Sequence, residues 1–392
     1  MSTPLTINSV ETLQEALPLI RASQEAYSNF TQEQVDAICE KTAMAVSKMR
    51  IPLAKMACEE TGYGIVVDKV TKNQYASEHI WNYMRNKKTC GIISEDRAFG
   101  VKKIASPKGV IAAITPTTNP TSTTIYKIML ALKTRNAIIL SPHPHAVNCS
   151  IAAAKIMRDA AIEAGLPEHV ISWISVPSLE ISDVLMKSVD LIIATGGSGM
   201  VKAAYSSGKP AIGVGAGNGP AYIHRSADVA HALACIARSK SFDYGTVCAS
   251  EQSIIVEKGM ESAVRSEGER QGFYFMDTTQ AGALAKLLFR PNGTLNPDIV
   301  GRPAAKLAEA AGFSVPSGTK VLVAREQEAG PTRPYSMEKL CPVLAFFVMD
   351  SEDDVLSKCM EVLRHEGSGH TFAIHATDET VIRRFASQIP VS

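Results

Sequence analysis

The sequence predicts an α/β protein built around a parallel sheet that helices cover on both faces. From residue 109 onward, short apolar runs alternate with segments of helical pattern. The runs lack the polar–apolar alternation of a strand with one solvated face, so both faces of each strand are expected to be buried. The predicted strands are GVIAAIT (109–115), NAIILS (136–141), VISWIS (170–175), DLIIAT (190–195) and AIGVG (211–215).

Helices are predicted before the first of these strands and between the later ones. Within the N-terminal hundred residues, Thr31 is followed three residues later by Gln34, the pattern of a capping box, and apolar residues then recur on one face. Asn119 and Pro120 predict another helix start, because proline is well tolerated in the first turn. Helices are expected at roughly 121–133, 148–164 and 198–206.

A second alternation of strands and helices runs from about residue 250 to 376. Inside it, the segment 325–337 is polar and contains two prolines, so we predict a loop there. The chain ends soon after a helix-like segment, and we expect the complete protein to continue beyond this point.

Composition and charge narrow the classes of function. The chain has 392 residues, 45% apolar and 20% charged, with a formal net charge of +1. This is an ordinary globular composition, and the near-zero charge gives no reason to expect a nucleic-acid partner. No run of 18 apolar residues predicts a membrane span, and the first twenty residues lack the pattern of a secretory leader. A cytoplasmic location without a membrane partner is therefore expected.

One of the eight cysteines stands apart from the others. The cysteines are scattered without a CxxC pair, which favours reduced thiols, and the histidines form no HExxH motif, so no metal site is expected. Cys248 lies in SFDYGTVCASEQSIIVE (241–257), just before a β-type run. A buried cysteine is usually inert core, whereas one on a loop at the edge of a strand can be a nucleophile. The local pattern leaves both possibilities open.

The stretch IGVGAGNGP (212–220) has the glycine content of a nucleotide-binding loop. It does not satisfy G-x-G-x-x-G, because Gly215, Gly217 and Gly219 are spaced by two throughout. The nearby SSGKP (206–210) is not a P-loop, because proline stands where serine or threonine is needed. Taken alone, these stretches favour tight turns at strand ends.

The stretch ATGGSGMVKAA (194–204) is more informative. An apolar strand leads into Thr195, Gly196 and Gly197 and then into a predicted helix. Free N–H groups at a helix start suit a phosphate group, as at many dinucleotide sites. A plain turn between a strand and a helix explains the same residues equally well.

Seven motifs follow one another along the chain: ITPTTNPTSTTIYK, ALKTRNAIILSPHP, EAGLP, ATGG, GVGAGNGP, FDYGTVCASEQ and MEKLCPV. In this order they resemble the aldehyde dehydrogenase superfamily over nearly the whole chain. They are most similar to the CoA-acylating branch, in particular to the N-terminal domain of bifunctional aldehyde–alcohol dehydrogenases. The resemblance implies the aldehyde dehydrogenase fold, with an NAD-binding domain at 1–240 that includes the helical N-terminal region and a catalytic domain at 241–392.

The resemblance implies an acyl-cysteine mechanism. Cys248 would attack the aldehyde carbonyl, and Asn119 together with a backbone N–H would stabilise the oxyanion. An ungapped match places Thr118 in the asparagine column instead, and a helix N-cap is the other interpretation of Asn119. Hydrolytic members carry a glutamate that activates water, and Val214 stands in that column here. This replacement favours transfer of the acyl group to CoA over hydrolysis, unless another carboxylate serves as the base.

The resemblance also implies a second set of residues, which bind the cofactor or act on CoA. Glu338 in MEKLCP would bind the nicotinamide ribose through its acceptor oxygens. His370 in GSGHT would deprotonate the CoA thiol or place the substrate, and a structural histidine is the alternative. NAD is expected rather than NADP, because SPHP (141–144) offers no arginine or lysine to a 2′-phosphate. The remaining expected cofactor contacts are Thr195, Gly196, Gly197, Gly215 and Gly217.

The predicted reaction is the reversible conversion of an aldehyde, CoA and NAD⁺ to acyl-CoA and NADH, with acetaldehyde as the expected substrate. The alternatives are another short aldehyde, such as propionaldehyde or sulfoacetaldehyde, a hydrolytic dehydrogenase, a reductase of acyl phosphates, and a catalytically silent scaffold. We expect a homo-oligomer, with filament formation left open. Whether an iron-dependent alcohol dehydrogenase domain follows residue 392 is also left open.

Overall fold

The computed structural model describes residues 5–391 and divides into two compact units, each with its own parallel sheet. The first unit contains the described residues up to Gly62 together with Val66–Val214, and the second contains Tyr63–Ile65 and the chain from Gly215 onward. The division at Val214 lies before the predicted boundary at 240. The reason is a strand at 220–223, which pairs with the strand that begins at residue 253 and not with the first sheet.

The elements of the first unit are α1 (Val10–Ser28), α2 (Gln32–Lys48), α3 (Arg50–Thr61), α4 (Val66–Gln74), a π turn (Tyr75–His79), α5 (Ile80–Met84), β1 (Gly91–Asp96), β2 (Val101–Ala105), β3 (Val110–Ile114), α6 (Pro120–Lys133), β4 (Ala137–Ser141), a 3₁₀ turn (Pro144–Ala146), α7 (Val147–Glu163), β5 (Ile171–Trp173), α8 (Leu179–Ser188), β6 (Leu191–Thr195), α9 (Ser198–Ser206) and β7 (Ala211–Val214).

The elements of the second unit are β8 (Pro220–Ile223), α10 (Val229–Ser241), β9 (Ser253–Glu257), α11 (Glu261–Gln271), β10 (Phe273–Phe275), α12 (Thr278–Leu288), α13 (Ala304–Ala310), β11 (Val321–Arg325), β12 (Val343–Met349), α14 (Glu352–His365), β13 (Ala373–His375) and α15 (Glu379–Gln388). Short 3₁₀ turns lie at Phe242–Gly245, Lys258–Met260, Pro297–Ile299 and Pro334–Ser336.

The five predicted strands form the sheet of the first unit, in the order β5-β4-β3-β6-β7 and all parallel. Every residue of β3 and β4 is buried, which agrees with their unbroken apolar sequences. Because β4 and β6 lie on opposite sides of β3, the order of the strands reverses at β3. The loops after β3 and β6 therefore lie at the switch point, where open α/β sheets bind ligands.

A buried lysine of α6 joins the two strands at the switch point. Lys127 Nζ donates hydrogen bonds to the carbonyls of Ile114, at 2.5 Å, and Ile193, at 2.9 Å. Burial lowers the pKa of Lys127 to about 7. Lys127 thus satisfies backbone carbonyl oxygens of both β3 and β6.

The antiparallel hairpin of β1 and β2 was not expected, because the residues before 109 were predicted to be helical. Its two strands are exposed over almost their whole length. The sequence GIISEDRAFGVKKIA contains many charges and no buried face, so it lacks the apolar pattern that identified the other strands.

The sheet of the second unit has the order β10-β11-β12-β9-β8-β13, again all parallel. Alternate residues of its strands enter two separate hydrophobic clusters. In β9, for example, Ile255 belongs to one cluster, and Ile254 and Val256 belong to the other. Both faces are therefore covered, as predicted for a parallel sheet. Within residues 5–391, no helix has the length and apolar character needed to cross a bilayer.

Candidate active site

Four segments that carry predicted site residues precede four adjacent strands of the second sheet. Gly217 precedes β8, Cys248 precedes β9, Glu338 precedes β12, and His370 precedes β13. These strands are neighbours in the order β12-β9-β8-β13 and run parallel, so their amino ends share one edge of the sheet. The topology therefore collects at one edge four segments that are far apart in the sequence.

The turn that carries Cys248 is packed directly on the backbone of Gly217. A Cβ atom added to Gly217 would lie 1.9 Å from the carbonyl oxygen of Cys248, so only glycine fits at this position. Cys248 itself is partly buried. Gly217, in the glycine-rich stretch, thus allows the segment before β8 to approach the cysteine turn closely.

Four other cysteines have the surroundings of inert core residues. Cys39, Cys149, Cys341 and Cys359 are buried, and burial raises the pKa of each thiol above its ordinary value, to about 12 for Cys39 and about 11 for Cys341. A raised pKa disfavours the thiolate that a nucleophile needs. Cys248 remains the predicted nucleophile.

Glu338 is bound to the same glycine. Its Oε1 accepts a hydrogen bond from the Gly217 N–H at 2.8 Å, and its own N–H donates to Glu366 Oε2 at 2.7 Å. Burial raises the pKa of Glu338 to about 8, and the Glu366 carboxylate adds to the increase. The hydrogen bond from Gly217 and the positive charges of Lys240 and Lys339 act in the opposite direction and lower the pKa of Glu338. Cys248, Gly217 and Glu338 therefore form one connected group.

Two buried lysines behind this group were not predicted. Lys339 Nζ donates to the carbonyls of Tyr335 and Met337 at 2.7 and 2.6 Å, and burial lowers its pKa to about 7. Lys240 is fully buried, its Nζ has no hydrogen-bond partner within residues 5–391, and burial lowers its pKa to about 8. Both lie beside predicted motifs, in SKSFDYG and MEKLCP, but a lysine in a sequence is normally taken as exposed.

His370 lies in a loop that contacts the cysteine turn. Its backbone N–H donates to the Gly367 carbonyl, and the neighbouring Thr371 hydroxyl donates to the Ala249 carbonyl at 3.3 Å. The imidazole is partly buried, which lowers its pKa, and its Nε2 has no hydrogen-bond partner among the described residues. A neutral imidazole with an unused nitrogen has the properties of a proton acceptor.

Asn119 lies in the first unit, in the loop after β3. It occupies the N-cap position of α6, but its side chain makes no capping hydrogen bond. Instead, Oδ1 accepts from Lys72 Nζ at 2.6 Å and Nδ2 donates to the Thr118 hydroxyl at 3.0 Å. The oxyanion role of Asn119 stays a prediction, and Lys72 is a contact that the sequence did not indicate.

Thr195 is the last residue of β6, and Gly196 and Gly197 follow it at the switch point. The Gly196 N–H donates to the Val214 carbonyl at 3.3 Å, and no side chain caps the start of α9 at Gly197. A helix start without a side-chain cap can bind a phosphate group through its N–H groups. Gly215 lies at the start of the second unit, directly after β7.

A carboxylate occupies the start of α7, which follows β4 in the same sheet. Glu60, from α3, accepts hydrogen bonds from the N–H groups of Asn148 and Cys149, both at 2.8 Å. Burial favours the neutral acid, but these bonds outweigh it and hold the pKa of Glu60 below its ordinary value. Ser141, at the end of β4, is buried with its hydroxyl 3.3 Å from that of Ser182.

Comparisons with known proteins identify the family of the chain. Residues 6–270 match the model of the aldehyde dehydrogenase family. The chain is 48% identical over 377 residues to the bifunctional aldehyde-alcohol dehydrogenase of Escherichia coli, with 96% of this chain and 42% of that protein covered. The chain thus spans less than half the length of this relative.

Solved structures are similar over almost the whole chain. An acetylating aldehyde dehydrogenase from Geobacillus thermoglucosidasius is 44% identical, with a TM-score of 0.94, and 97% of this chain and 85% of that chain are covered. A propionaldehyde dehydrogenase from Rhodopseudomonas palustris, with bound CoA and an acylated cysteine, is 27% identical, with a TM-score of 0.85 and coverage of 100% and 88%. The predicted fold class and the predicted similarity to acylating members are confirmed, and the chain belongs to the aldehyde dehydrogenase family.

Proposed function

We propose that this chain catalyses the reversible, CoA-dependent oxidation of a short aldehyde to an acyl-CoA, with Cys248 as the nucleophile and NAD⁺ as the oxidant. The observation that carries the proposal is the packing of the Cys248 turn on a glycine stretch that follows Val214. In hydrolytic relatives a glutamate in this column activates water, and valine has no group that could do so. The replacement favours acyl transfer to a thiol over hydrolysis.

In the first half-reaction, the Cys248 thiolate attacks the carbonyl carbon, and a C–S bond forms while the carbonyl π pair moves to oxygen. The Asn119 amide and a backbone N–H are proposed to donate to this oxyanion. When the C=O bond forms again, the carbon loses hydride, and the nicotinamide supplies the acceptor for its two electrons. The product on the enzyme is a thioester of Cys248.

In the second half-reaction, the thiol of CoA replaces Cys248 on the acyl group. A new C–S bond to CoA forms, the bond to Cys248 breaks, and Cys248 leaves as a thiolate. His370 is proposed to accept the proton of the CoA thiol. Partial burial lowers the pKa of this imidazole and so favours its neutral form, which is the form that can act as a base.

The residues of the chain fit a nicotinamide dinucleotide. The uncapped start of α9 after Thr195, Gly196 and Gly197 can bind a phosphate group, and Glu338 offers acceptor oxygens for ribose hydroxyls. The resemblance implies that the adenosine ribose lies beside SPHP, just before α7. We favour NAD over NADP because the Glu60 carboxylate at the start of α7 would oppose a 2′-phosphate there. This adds to the absence of arginine and lysine in SPHP.

Acetaldehyde is the proposed substrate, on the similarity to an acetylating dehydrogenase and to a bifunctional aldehyde-alcohol dehydrogenase. Propionaldehyde is the alternative, on the similarity to a propionaldehyde dehydrogenase. Homo-oligomerisation and a cytoplasmic location remain predictions from the sequence.

Trapping of the intermediate tests the proposed nucleophile. The protein would be incubated with acetaldehyde and NAD⁺ without CoA, then digested and analysed by mass spectrometry. We expect one acetyl group on the peptide that contains Cys248, its removal when CoA is added, and no acetyl group in Cys248→Ser. Acetylation of a different cysteine would overturn the assignment.

A further inference from the structure

The residues just before Cys248 have a backbone conformation that is unfavourable for amino acids with a side chain. Asp243, Tyr244 and Gly245 have φ angles of 49°, 50° and 75°. In the left-handed region the Cβ atom crowds the following carbonyl oxygen. Such a conformation persists only where the surrounding structure imposes it, and it is most common at functional sites. The contacts that impose it here bear directly on how Cys248 is placed.

The Asp243 side chain supplies several of these contacts. It is fully buried, its Oδ1 accepts the Ile65 N–H at 2.6 Å, and its Oδ2 accepts the Thr246 hydroxyl at 2.7 Å. Thr246, which is also fully buried, donates its N–H to the Asp243 carbonyl at 3.3 Å. Both carboxyl oxygens thus act as acceptors, one closing the turn and the other binding a residue far away in the sequence.

Backbone segments enclose the turn on two sides. A Cβ atom on Gly64 would lie 1.9 Å from Asp243 Oδ1, so the segment Tyr63–Ile65 leaves the carboxylate no room to move. A Cβ atom on Gly245 would lie 2.7 Å from the carbonyl carbon of Cys341. The turn is therefore fixed between two other segments of the second unit, and Asp243 is the charged side chain at its centre.

We propose that Asp243 is a positioning residue for Cys248. Its carboxylate, bound to the Ile65 N–H and to Thr246, holds the left-handed turn that sets the position of the thiol. The inference rests on the proposed function, in which Cys248 is the nucleophile. Asp243 acts through the backbone of residues 243–246, so it should affect the reactivity of the thiol and not the affinity for the dinucleotide.

The experiment measures the rate at which iodoacetamide alkylates Cys248, resolved by mass spectrometry of its peptide and repeated across a pH series. NADH affinity is measured in parallel by fluorescence. In Asp243→Ala we expect alkylation to slow at least about tenfold at every pH, with NADH affinity within about twofold of the wild type. Asp243→Asn should recover most of the rate, because its Oδ1 can still accept the Ile65 N–H and asparagine tolerates the left-handed region.

Two further variants keep the outcome decisive. Thr246→Val removes one hydrogen bond to the carboxylate at nearly constant volume, and we expect a smaller decrease in the rate. If Asp243→Ala does not fold, the alkylation rate of Thr246→Val tests the positioning role of Asp243 instead. Asp277→Ala, which removes an exposed aspartate that caps α12, is the matched control and should leave the rate unchanged.

Wild-type alkylation rates in a folded Asp243→Ala, or in Thr246→Val if the alanine variant does not fold, would overturn the inference. Equal rates in Asp243→Ala and Asp243→Asn would also contradict it. The variant Cys248→Ser separates this result from a failure of the proposed function. If Cys248→Ser still turns over aldehyde, the proposed function is wrong; if it is inactive while Asp243→Ala reacts normally, only the positioning role is wrong.

Discussion

At the scale of single residues, the candidate site contains buried charged side chains around the N–H group of Gly217. Glu338 accepts the Gly217 N–H while burial and Glu366 raise its pKa to about 8. Lys240 and Lys339 supply the compensating positive charge, each with a lowered pKa. A carboxyl with this pKa is mainly protonated at neutral pH, so its strength as an acceptor for ribose hydroxyls should depend on pH.

We predict that NADH binds more tightly as the pH rises from about 7 to about 9. An acid with a raised pKa becomes ionised only above that pKa, and the ionised form is the better acceptor, so affinity should increase by up to about tenfold over this range. Fluorescence titration with NADH at each pH measures this affinity. Because Lys240 and Lys339 lose charge over a similar range, Glu338→Gln is the control, and its affinity should be weaker and nearly independent of pH. An unaltered pH profile in this variant would contradict the role of Glu338.

For His370, we predict that His370→Gln slows the CoA-dependent step much more than the acylation of Cys248. Glutamine can hydrogen-bond but cannot accept the thiol proton, so only the second half-reaction loses its base. Rapid mixing measures the two steps separately, the first as NADH formation without CoA and the second as consumption of the acyl-enzyme by CoA. Equal losses in both steps would indicate a structural histidine.

The sequence identified the residues with distinctive chemistry but not the charged groups behind them. Cys248, Gly217 and Glu338 belong to recognisable motifs, and the structure connects them. The burial of Lys240 and Lys339 could not be predicted, because their surroundings come from segments that are distant in the sequence. Asn119 carries the N-cap pattern, yet its side chain bonds to Lys72 and Thr118 instead of capping the helix.

At the scale of elements, the predicted site residues of the second unit lie at the amino ends of four adjacent strands, β12, β9, β8 and β13. The entrance to β8 approaches the Cys248 turn so closely that a Cβ atom on Gly217 would lie 1.9 Å from the Cys248 carbonyl oxygen. We predict that Gly217→Ala lowers kcat/KM at least about a hundredfold, because the added Cβ must displace the cysteine backbone. Gly282→Ala, in α12 where a Cβ meets nothing within 4 Å, should retain full activity. Normal turnover in Gly217→Ala would contradict the packing described here.

The start of α7 provides a test of dinucleotide choice. Glu60→Gln removes the charge that we expect to oppose a 2′-phosphate, while glutamine can still accept one of the two N–H groups. We predict that the ratio of kcat/KM for NAD⁺ to that for NADP⁺ falls at least about fivefold, with the fluorescence affinity for NADPH rising in parallel. Glu59→Gln, in the exposed neighbouring position of α3, is the matched control and should not change the ratio. An unchanged ratio in Glu60→Gln would mean that another feature selects the dinucleotide.

Elements with unbroken apolar sequences were predictable, and exposed elements were not. The five strands β3 to β7 agree with the prediction to within two residues at every end, because each is an apolar run bounded by turn residues. The expectation that both faces of each strand are buried was wrong for β7, where Ile212 and Val214 are exposed. The hairpin of β1 and β2 was missed because its exposed strands carry no apolar pattern. Local pattern also cannot give strand pairing: β8 lies within the predicted domain 1–240, yet it pairs with β9 in the second sheet.

At the scale of the whole molecule, each unit is built on a parallel sheet, and the two sheets carry different predicted site residues. The first places Asn119 and the Thr195–Gly197 turn at the switch point of its sheet, and the second carries Cys248, Glu338 and His370 at the amino ends of its strands. The family relationship extends over nearly the entire chain, while the bifunctional relative is more than twice as long as the matched region.

We propose that the thioester on Cys248 persists until CoA binds, because Val214 offers no base to activate water. The most direct test follows NADH absorbance after the protein is mixed with acetaldehyde and NAD⁺, with and without CoA. We predict a burst of about one NADH per active site without CoA, followed by almost no turnover, and sustained turnover once CoA is added. Sustained turnover without CoA, with release of free acid, would show that water is the acyl acceptor and that the proposed CoA-dependent mechanism is wrong.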